Sequence, residues 1–328
     1  MKRLPDDIIP PVPAQRIRVV SPDGVRLAVQ VHGHPDARTV VLAHGWTLST
    51  GYWSRVVRRL RTDLRVVAYD QRGHGHSTAV PTSGFTTDAL ADDLAAVLAA
   101  TVPAGERVVV AGHSMGAMTL IAFAARHPRV LHETVAGGVL ISTGAEQLLA
   151  RSRILPRRRR RVAGLPPDQD EREPTARPSP LERRVDAQVR RVLTEPRRLE
   201  RIPAPVLRSI ITHVTLSRSA SPAERSWTTD VVSACPAATT AGFAMMLADL
   251  DLSTTVPRLD VPTLVVVGNV DRLTPPWHAH RLAAALPCCL GLVEVPDAGH
   301  MTPVQAPDAV AAAVRRVVAD CLPERSLP

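Results

Sequence analysis

Along the chain, short unbroken apolar runs alternate with stretches in which bulky apolar residues return every three or four positions. Runs of about four to eight β-branched residues mark strands buried on both faces, and a return period near 3.6 marks a helix with one face on a core. Residues 38–43 (RTVVLA), 64–69 (LRVVAY), 107–111 (RVVVA), 135–142, 262–268 (PTLVVVG) and 292–295 are runs of the first kind. Ahead of them, residues 15–20 and 25–31 read as two strands joined by the turn Ser21, Pro22, Asp23, Gly24, a hairpin signal. Residues 51–60 put Trp53, Val56, Val57 and Leu60 at helical spacing. A second helix, capped by Thr87 or Asp88, carries Leu90, Leu94, Val97 and Leu98 on one face. Further helices are expected at 275–286, started by Thr274, and at 307–321, with Val310, Val314, Val317 and Cys321 on one side. Such alternation predicts an α/β fold: a mostly parallel central sheet of about eight strands, helices on both faces and an antiparallel start.

The alternation stops between Thr143 and about Pro236. There the chain has five consecutive arginines, Arg157 through Arg161, a Pro-rich charged stretch over 166–180, and helical patterns at 181–193, 203–214 and 222–234. This segment reads as an insertion, a helical cap over the active edge of the sheet, with 166–180 expected to be poorly ordered. The expected division is a Pro-rich tail over 1–14, a first core part over 15–144, an Arg-rich helical cap over 145–236 and a second core part over 237–328.

Composition changes this picture little. At 328 residues and 45% hydrophobic content, the chain suffices for one large α/β domain with an insertion. It has no apolar run approaching the roughly 18 residues of a transmembrane helix. Its start breaks on Pro5, Pro10, Pro11 and Pro13, so no secretory leader is expected. The net charge of +9 raises the question of nucleic acid or membrane, but Lys2 is the only lysine, and the arginine, alanine and proline bias matches GC-rich coding. Between 151 and 201 there are 16 Arg against 8 Asp plus Glu, so nearly all the excess lies in the insertion. With no aromatics interleaved in the arginine run, nucleic-acid binding is not expected. Cys235, Cys288, Cys289 and Cys321 show no C-x-x-C or metal-ligand spacing; reduced thiols and a cytoplasmic location are the expectation, with no cofactor and no metal. Cys288 and Cys289 read as packing residues at a helix-to-strand join.

The chemistry is carried by residues at the ends of the strands, where open α/β sheets hold their sites. Gly112, His113, Ser114, Met115 and Gly116 spell G-x-S-x-G across a strand-to-helix corner. Glycines suit that corner because a Cβ at either position would collide, and the serine falls at a helix N-terminus, where free N–H groups favour negative charge. A serine hydroxyl needs a base, and the base needs an acid. Asp271, in GNVDRLTPP, and His300, in VPDAGHM, follow later strands in the order Ser, Asp, His that belongs to this sheet type. Asp249 and Asp251 are rival acids, read as structural. His113 is expected to pack or hydrogen-bond behind the elbow, and Arg72, His74 and His76 to hold the loop after Tyr69. Asp297 is expected to fix the turn that presents His300, and His278 and His280 to lie on an exposed helix face.

Taken together, HGW at His44, DQRGHGHS at Asp70, GHSMG at Gly112, GNVDRLTPP at Gly268 and DAGHM at Asp297 resemble the α/β-hydrolase family, in its serine hydrolase branch. The resemblance covers the chain apart from the tail and most of the insertion. It implies Ser114 as nucleophile, Asp271 as acid, His300 as base, and the backbone N–H groups of Trp46 and Met115 as the oxyanion hole. Epoxide hydrolases and haloalkane dehalogenases share HG and D-x-R-G-x-G-x-S but use an aspartate nucleophile, and the two tyrosines, Tyr52 and Tyr69, lie outside the insertion. Cleavage of a small-molecule ester, lactone or thioester through an acyl-enzyme is therefore the first expectation. The stretch HGWTLSTGYW also resembles the esterase and cofactor-free haloperoxidase branch, where perhydrolysis is the alternative. An acyltransferase or thioesterase on a carrier-bound substrate, with the Arg-rich insertion docking an acidic partner, is a second alternative. Binding without catalysis is a third.

Overall fold

The computed structural model describes residues 7–78, 84–146, 148 and 180–324. An eight-stranded sheet runs through it in the order β1-β2-β4-β3-β5-β6-β7-β8. The strands are β1 (Gln15–Val20), β2 (Arg26–His32), β3 (Thr39–Ala43), β4 (Arg65–Tyr69), β5 (Val108–His113), β6 (Val135–Ile141), β7 (Thr263–Gly268) and β8 (Cys289–Val295). β1 pairs antiparallel with β2, and β2 with β4; all later pairings are parallel. This is the architecture the alternation predicts. β1 falls on its expected limits and the other strands move by at most three residues, most at β8, where Cys289 opens the strand and Cys288 precedes it.

The helices are α1 (Ser54–Leu60), α2 (Thr87–Thr101), α3 (Met115–Arg126), α4 (Pro128–Thr134), α5 (Pro180–Leu193), α6 (Pro196–Leu199), α7 (Ala204–Thr215), α8 (Pro222–Ser233), α9 (Ala237–Ala248), α10 (Pro276–Ala285), α11 (Thr302–Gln305) and α12 (Pro307–Cys321). Period-2 side-chain alternation splits the core into two layers. Val41, Ala43, Val67 and Tyr69 face the layer of α2 and α3, while Val40, Leu42, Val66 and Ala68 face that of α1 and α12. The α2 cap is Thr86, one residue ahead of the expected pair; its hydroxyl accepts the Ala89 N–H at 3.1 Å. That hydroxyl precedes the first helical turn, where an orphan N–H can reach it.

Two features of the core have no periodic signature. Arg72 is buried between Asp93, on α2, and Asp23, in the β1–β2 turn, with N–O distances of 2.7 and 2.8 Å. Within the expected N-terminal tail, Ile8 is buried in the layer of α1 and α12, and Asp7 pairs with Arg55 at 3.0 Å. The segment between β6 and β7 contributes α5 to α9. Trp227 of α8 stacks on Tyr52, and Phe243 of α9 meets Phe85 edge-on at 4.9 Å. The Thr239 hydroxyl donates to the Gly73 carbonyl, and Trp46 Nε1 donates to the Thr240 carbonyl, both at 3.1 Å. α8 and α9 thus pack on the loops that follow β3 and β4. The arginine run at 157–161 and the 166–179 part of the Pro-rich stretch lie outside the described residues. No single helix among the described residues is long and apolar enough to cross a membrane.

Candidate active site

β5 ends at His113 and α3 begins at Met115, leaving Ser114 alone at the corner. Its backbone sits at φ 52°, ψ −118°, a left-handed conformation costly for a side chain bearing a Cβ. The surroundings enforce it. The Ser114 N–H donates to the Ile141 carbonyl at 2.9 Å, while its own carbonyl accepts the Thr143 hydroxyl at 3.0 Å. A Cβ on Gly116 would run into the Ala43 carbonyl, and one on Gly112 into the Gly116 carbonyl. Both glycines are required by close backbone approach, as the sequence pattern predicts. Met115 is the first residue of α3, so its N–H is one of the orphan donors at a helix start.

Asp271 and His300 meet as the motif order anticipates. His300 Nδ1 lies 2.9 Å from Asp271 Oδ2, with both side chains buried. Asp271 Oδ1 accepts the N–H groups of Leu273 and Thr274 at 2.9 Å, and Oδ2 also accepts the Thr274 hydroxyl at 2.8 Å. Four donors thus fix the carboxylate. Thr274, expected to start a helix, belongs to the site instead; α10 starts one residue later, with Pro275 as its N-cap. The acid and base loops touch directly, since a Cβ on Gly268 would strike the Ala298 carbonyl. With Nδ1 occupied by Asp271, Nε2 is the ring nitrogen left for proton transfer. Among the described residues, Ser114 Oγ and His300 Nε2 form no hydrogen bond with each other.

The loop after β3 is held by two buried imidazoles. The Gln71 N–H donates to His44 Nε2 at 2.9 Å, so His44 carries its proton on Nδ1 and donates it to the Gly45 carbonyl at 2.8 Å. That carbonyl shares a planar peptide with the Trp46 N–H, so His44 fixes the direction of the Trp46 donor. The next peptide is held by His74, whose Nε2 accepts the Thr47 N–H at 3.1 Å, with Thr47 at φ 63°. Burial pushes His44 down to about 4 and His74 to about 3, the latter helped by repulsion from His44. Both rings are neutral in ordinary buffers, as their acceptor roles require. The Gln71 side chain joins this loop to the elbow helix, donating to the His44 carbonyl and accepting the Thr119 hydroxyl.

Behind the elbow, His113 Nε2 lies 2.9 Å from the His300 carbonyl, and its ring is 4.9 Å from that of His300. Burial, with repulsion from His300 behind it, holds His113 well below the usual imidazole range. Tyr52 packs on His113 at 4.7 Å between ring centroids; burial and the Asp271 charge raise its phenol well above the ordinary value.

The remaining candidates separate clearly. Asp249 pairs with Arg190, and Asp251 is exposed and bonded to Ser253; neither approaches His300 as Asp271 does. The turn at Asp297 is held through its backbone, at φ 53° with the N–H on Asn269 Oδ1. His280 is exposed and pairs with Glu294. His278 departs from expectation: it is buried, stacked on Trp277 at 3.5 Å and seated against Gly144. The close approach of β6's exit to α10, which no local pattern reveals, covers it. Sequence reading also missed Gln71, Thr119 and Thr274; Gln71 meets His44 across 27 positions, and Thr119 meets Gln71 across 48.

A family model described as alpha/beta hydrolase fold matches residues 38–307. Among curated proteins, one named probable oxidoreductase EphD, from Mycobacterium tuberculosis, is 44% identical over 110 residues, covering 33% of this chain and 18% of that protein. A bifunctional esterase/perhydrolase from Acinetobacter calcoaceticus is 39% identical over 125 residues, 38% of this chain and 43% of that protein. Both matches therefore span less than half the length of these relatives. A thermophilic esterase from Thermogutta terrifontis, solved with malate bound, superposes with a TM-score of 0.71 at 26% identity, covering 94% of this chain and 99% of that one.

Proposed function

This chain belongs to the α/β-hydrolase fold family, and on that premise we propose that it is a hydrolase that cleaves a carboxylic ester, lactone or thioester through an acyl-enzyme on Ser114. The observation that carries the reading is the buried Asp271–His300 pair at 2.9 Å, joined through the His300 carbonyl to His113, the residue before a serine forced into φ 52° at the strand-to-helix corner. In this mechanism His300 Nε2 takes the Ser114 proton as Oγ attacks the substrate carbonyl, and Asp271 stabilises the imidazolium. The tetrahedral oxyanion is received by the N–H groups of Trp46 and Met115. His300 then returns the proton to the leaving alcohol or thiol, and a water activated by the same nitrogen releases the acid. Neither a cofactor nor a metal takes part.

The insertion over 145–236, in this proposal, is a cap: Trp227 of its α8 stacks on Tyr52, in the loop after β3. The four cysteines, all free, support a reducing, cytoplasmic location. Perhydrolysis is the second reading, favoured by the similarity to the esterase/perhydrolase from Acinetobacter. There peroxide would replace water at the acyl-enzyme. A carrier-bound acyl substrate docking on the arginine run rests on sequence alone.

The test is hydrolysis of p-nitrophenyl acetate, butyrate and octanoate by the wild type, Ser114→Ala and His300→Ala. Each variant is expected to lose about 10⁴-fold or more in kcat. Turnover near the wild-type level in either overturns the mechanism.

A further inference from the structure

Resting on the proposed roles of Asp271 and His300, we infer that the exit of α7 is a brace for both of their loops, worked by Gln305 and Arg272 as positioning residues. The insertion would thus hold the machinery in place as well as cover it. His300 has no side-chain partner on the insertion among the described residues, but its two chain neighbours are fastened there. The Met301 N–H donates to the Thr215 carbonyl at 3.0 Å. Gly299 lies flat against the same segment, where a Cβ would come within 2.8 Å of the Thr215 carbonyl and 2.9 Å of the Ser217 nitrogen.

Gln305 closes this contact from the other side. Its Oε1 accepts the Gly299 N–H at 2.9 Å and the Ser217 N–H at 3.2 Å, one from each loop. Its Nε2 donates to Ser217 Oγ at 2.7 Å. One amide therefore fills three hydrogen-bonding positions across the junction. On the acid side, Arg272, next to Asp271, donates from Nη1 to the carbonyls of His213 (2.6 Å) and Leu216 (3.1 Å). These carbonyls belong to the C-terminal turn of α7 and the residue after it, where a cation complements the helix dipole. Asp271 and His300 come from loops after β7 and β8, and this single turn fastens both from above. Thr215, Leu216 and Ser217 are buried, which limits competition from water at the Gln305 bonds, whereas the His213 carbonyl that Arg272 also holds is exposed.

The consequence is geometric. Releasing Gly299 frees the backbone that aims the His300 ring, and a misplacement of about 1 Å at a reacting group costs on the order of 100-fold in rate. Gln305→Leu removes all three bonds at similar size. Gln305→Glu keeps an oxygen for the two N–H groups, and its second oxygen accepts from the Ser217 hydroxyl, which turns round to donate.

The test measures kcat and KM on p-nitrophenyl acetate, the fluorophosphonate labelling rate and the melting midpoint, in full-length wild type, Gln305→Leu, Gln305→Glu, Arg272→Ala and Ser114→Ala. For Gln305→Leu, kcat and labelling rate should fall about 10- to 100-fold while KM moves less than about threefold, and Gln305→Glu should recover most of the loss. Arg272→Ala should lower kcat about tenfold in the same manner, and carries the test alone if Gln305→Leu does not fold. Wild-type kcat in a folded Gln305→Leu, equal damage from Leu and Glu, or, where Gln305→Leu does not fold, wild-type kcat in Arg272→Ala overturns the brace. If instead Ser114→Ala keeps its activity, the reading of the site itself fails, and that result is distinct from failure of the brace.

Discussion

His300 Nδ1 and Asp271 Oδ2 lie 2.9 Å apart in a buried contact between two loops whose strands are neighbours in the sheet. The carboxylate is held by three donors besides the histidine, so its orientation does not depend on the imidazole. In the proposed mechanism that arrangement selects one ring tautomer and leaves Nε2 for proton transfer. Asp271→Asn preserves shape but lets an amide face Nδ1, which favours the wrong tautomer. We expect kcat to fall by about 10⁴-fold. Asp251→Asn, on an exposed carboxylate bonded only locally to Ser253, should leave kcat within about twofold. Ester hydrolysis by the two variants checks this, and the reverse ranking would move the acid.

The Arg72 cluster predicts a stability effect of a different kind. Removing one partner of a buried ion pair strands the other, at about 3–5 kcal/mol, whereas replacing both by apolar groups is often neutral. Arg72→Met should therefore lower the urea midpoint sharply, and Arg72→Met combined with Asp93→Leu should recover part of the loss. A double variant less stable than Arg72→Met alone contradicts this account.

Much of the fold was legible because burial on both faces writes itself as β-branched runs, and turns over glycine write themselves as motifs. Ser114, Asp271 and His300 sit at strand ends, so locating the strands located them. What stayed hidden depends on partners remote in sequence. Arg72 and Asp23 are 49 positions apart, and Gln305 and Ser217 are 88. Thr274 carries a nearby signal, a hydroxyl three residues after an aspartate, but the same spacing serves helix starts. His278 read, together with His280, as part of an exposed helix face, whereas Gly144, in the segment that follows β6, packs against it.

Acid should destabilise this protein before it titrates most carboxylates. His44 and His74 have folded values of about 4 and 3 and an ordinary value of 6.5 when unfolded. Between these limits the unfolded chain binds more protons, so stability rises with pH, is complete above about 6.5 and is lost as pH falls toward 4. Each ring contributes a slope of up to about 1.4 kcal/mol per pH unit in that window. Melting midpoints from pH 8 to pH 4.5 should be level down to about 6.5 and then decline. His32, at about 4, and His113, lower still, add to the same decline, and His74→Gln, which removes one of these rings, should make it shallower. A midpoint unchanged between pH 6.5 and 4.5 would contradict the neutral, buried assignment.

The central claim is that Ser114 is the nucleophile activated by His300. Its most direct test is intact mass after treatment with a fluorophosphonate, with peptide mapping of the adduct, on the wild type, Ser114→Ala and His300→Ala. The account predicts one phosphonyl group on Ser114 in the wild type, none in Ser114→Ala and labelling slowed by about 10⁴-fold in His300→Ala. An adduct on another residue, or undiminished labelling of Ser114→Ala, would contradict it.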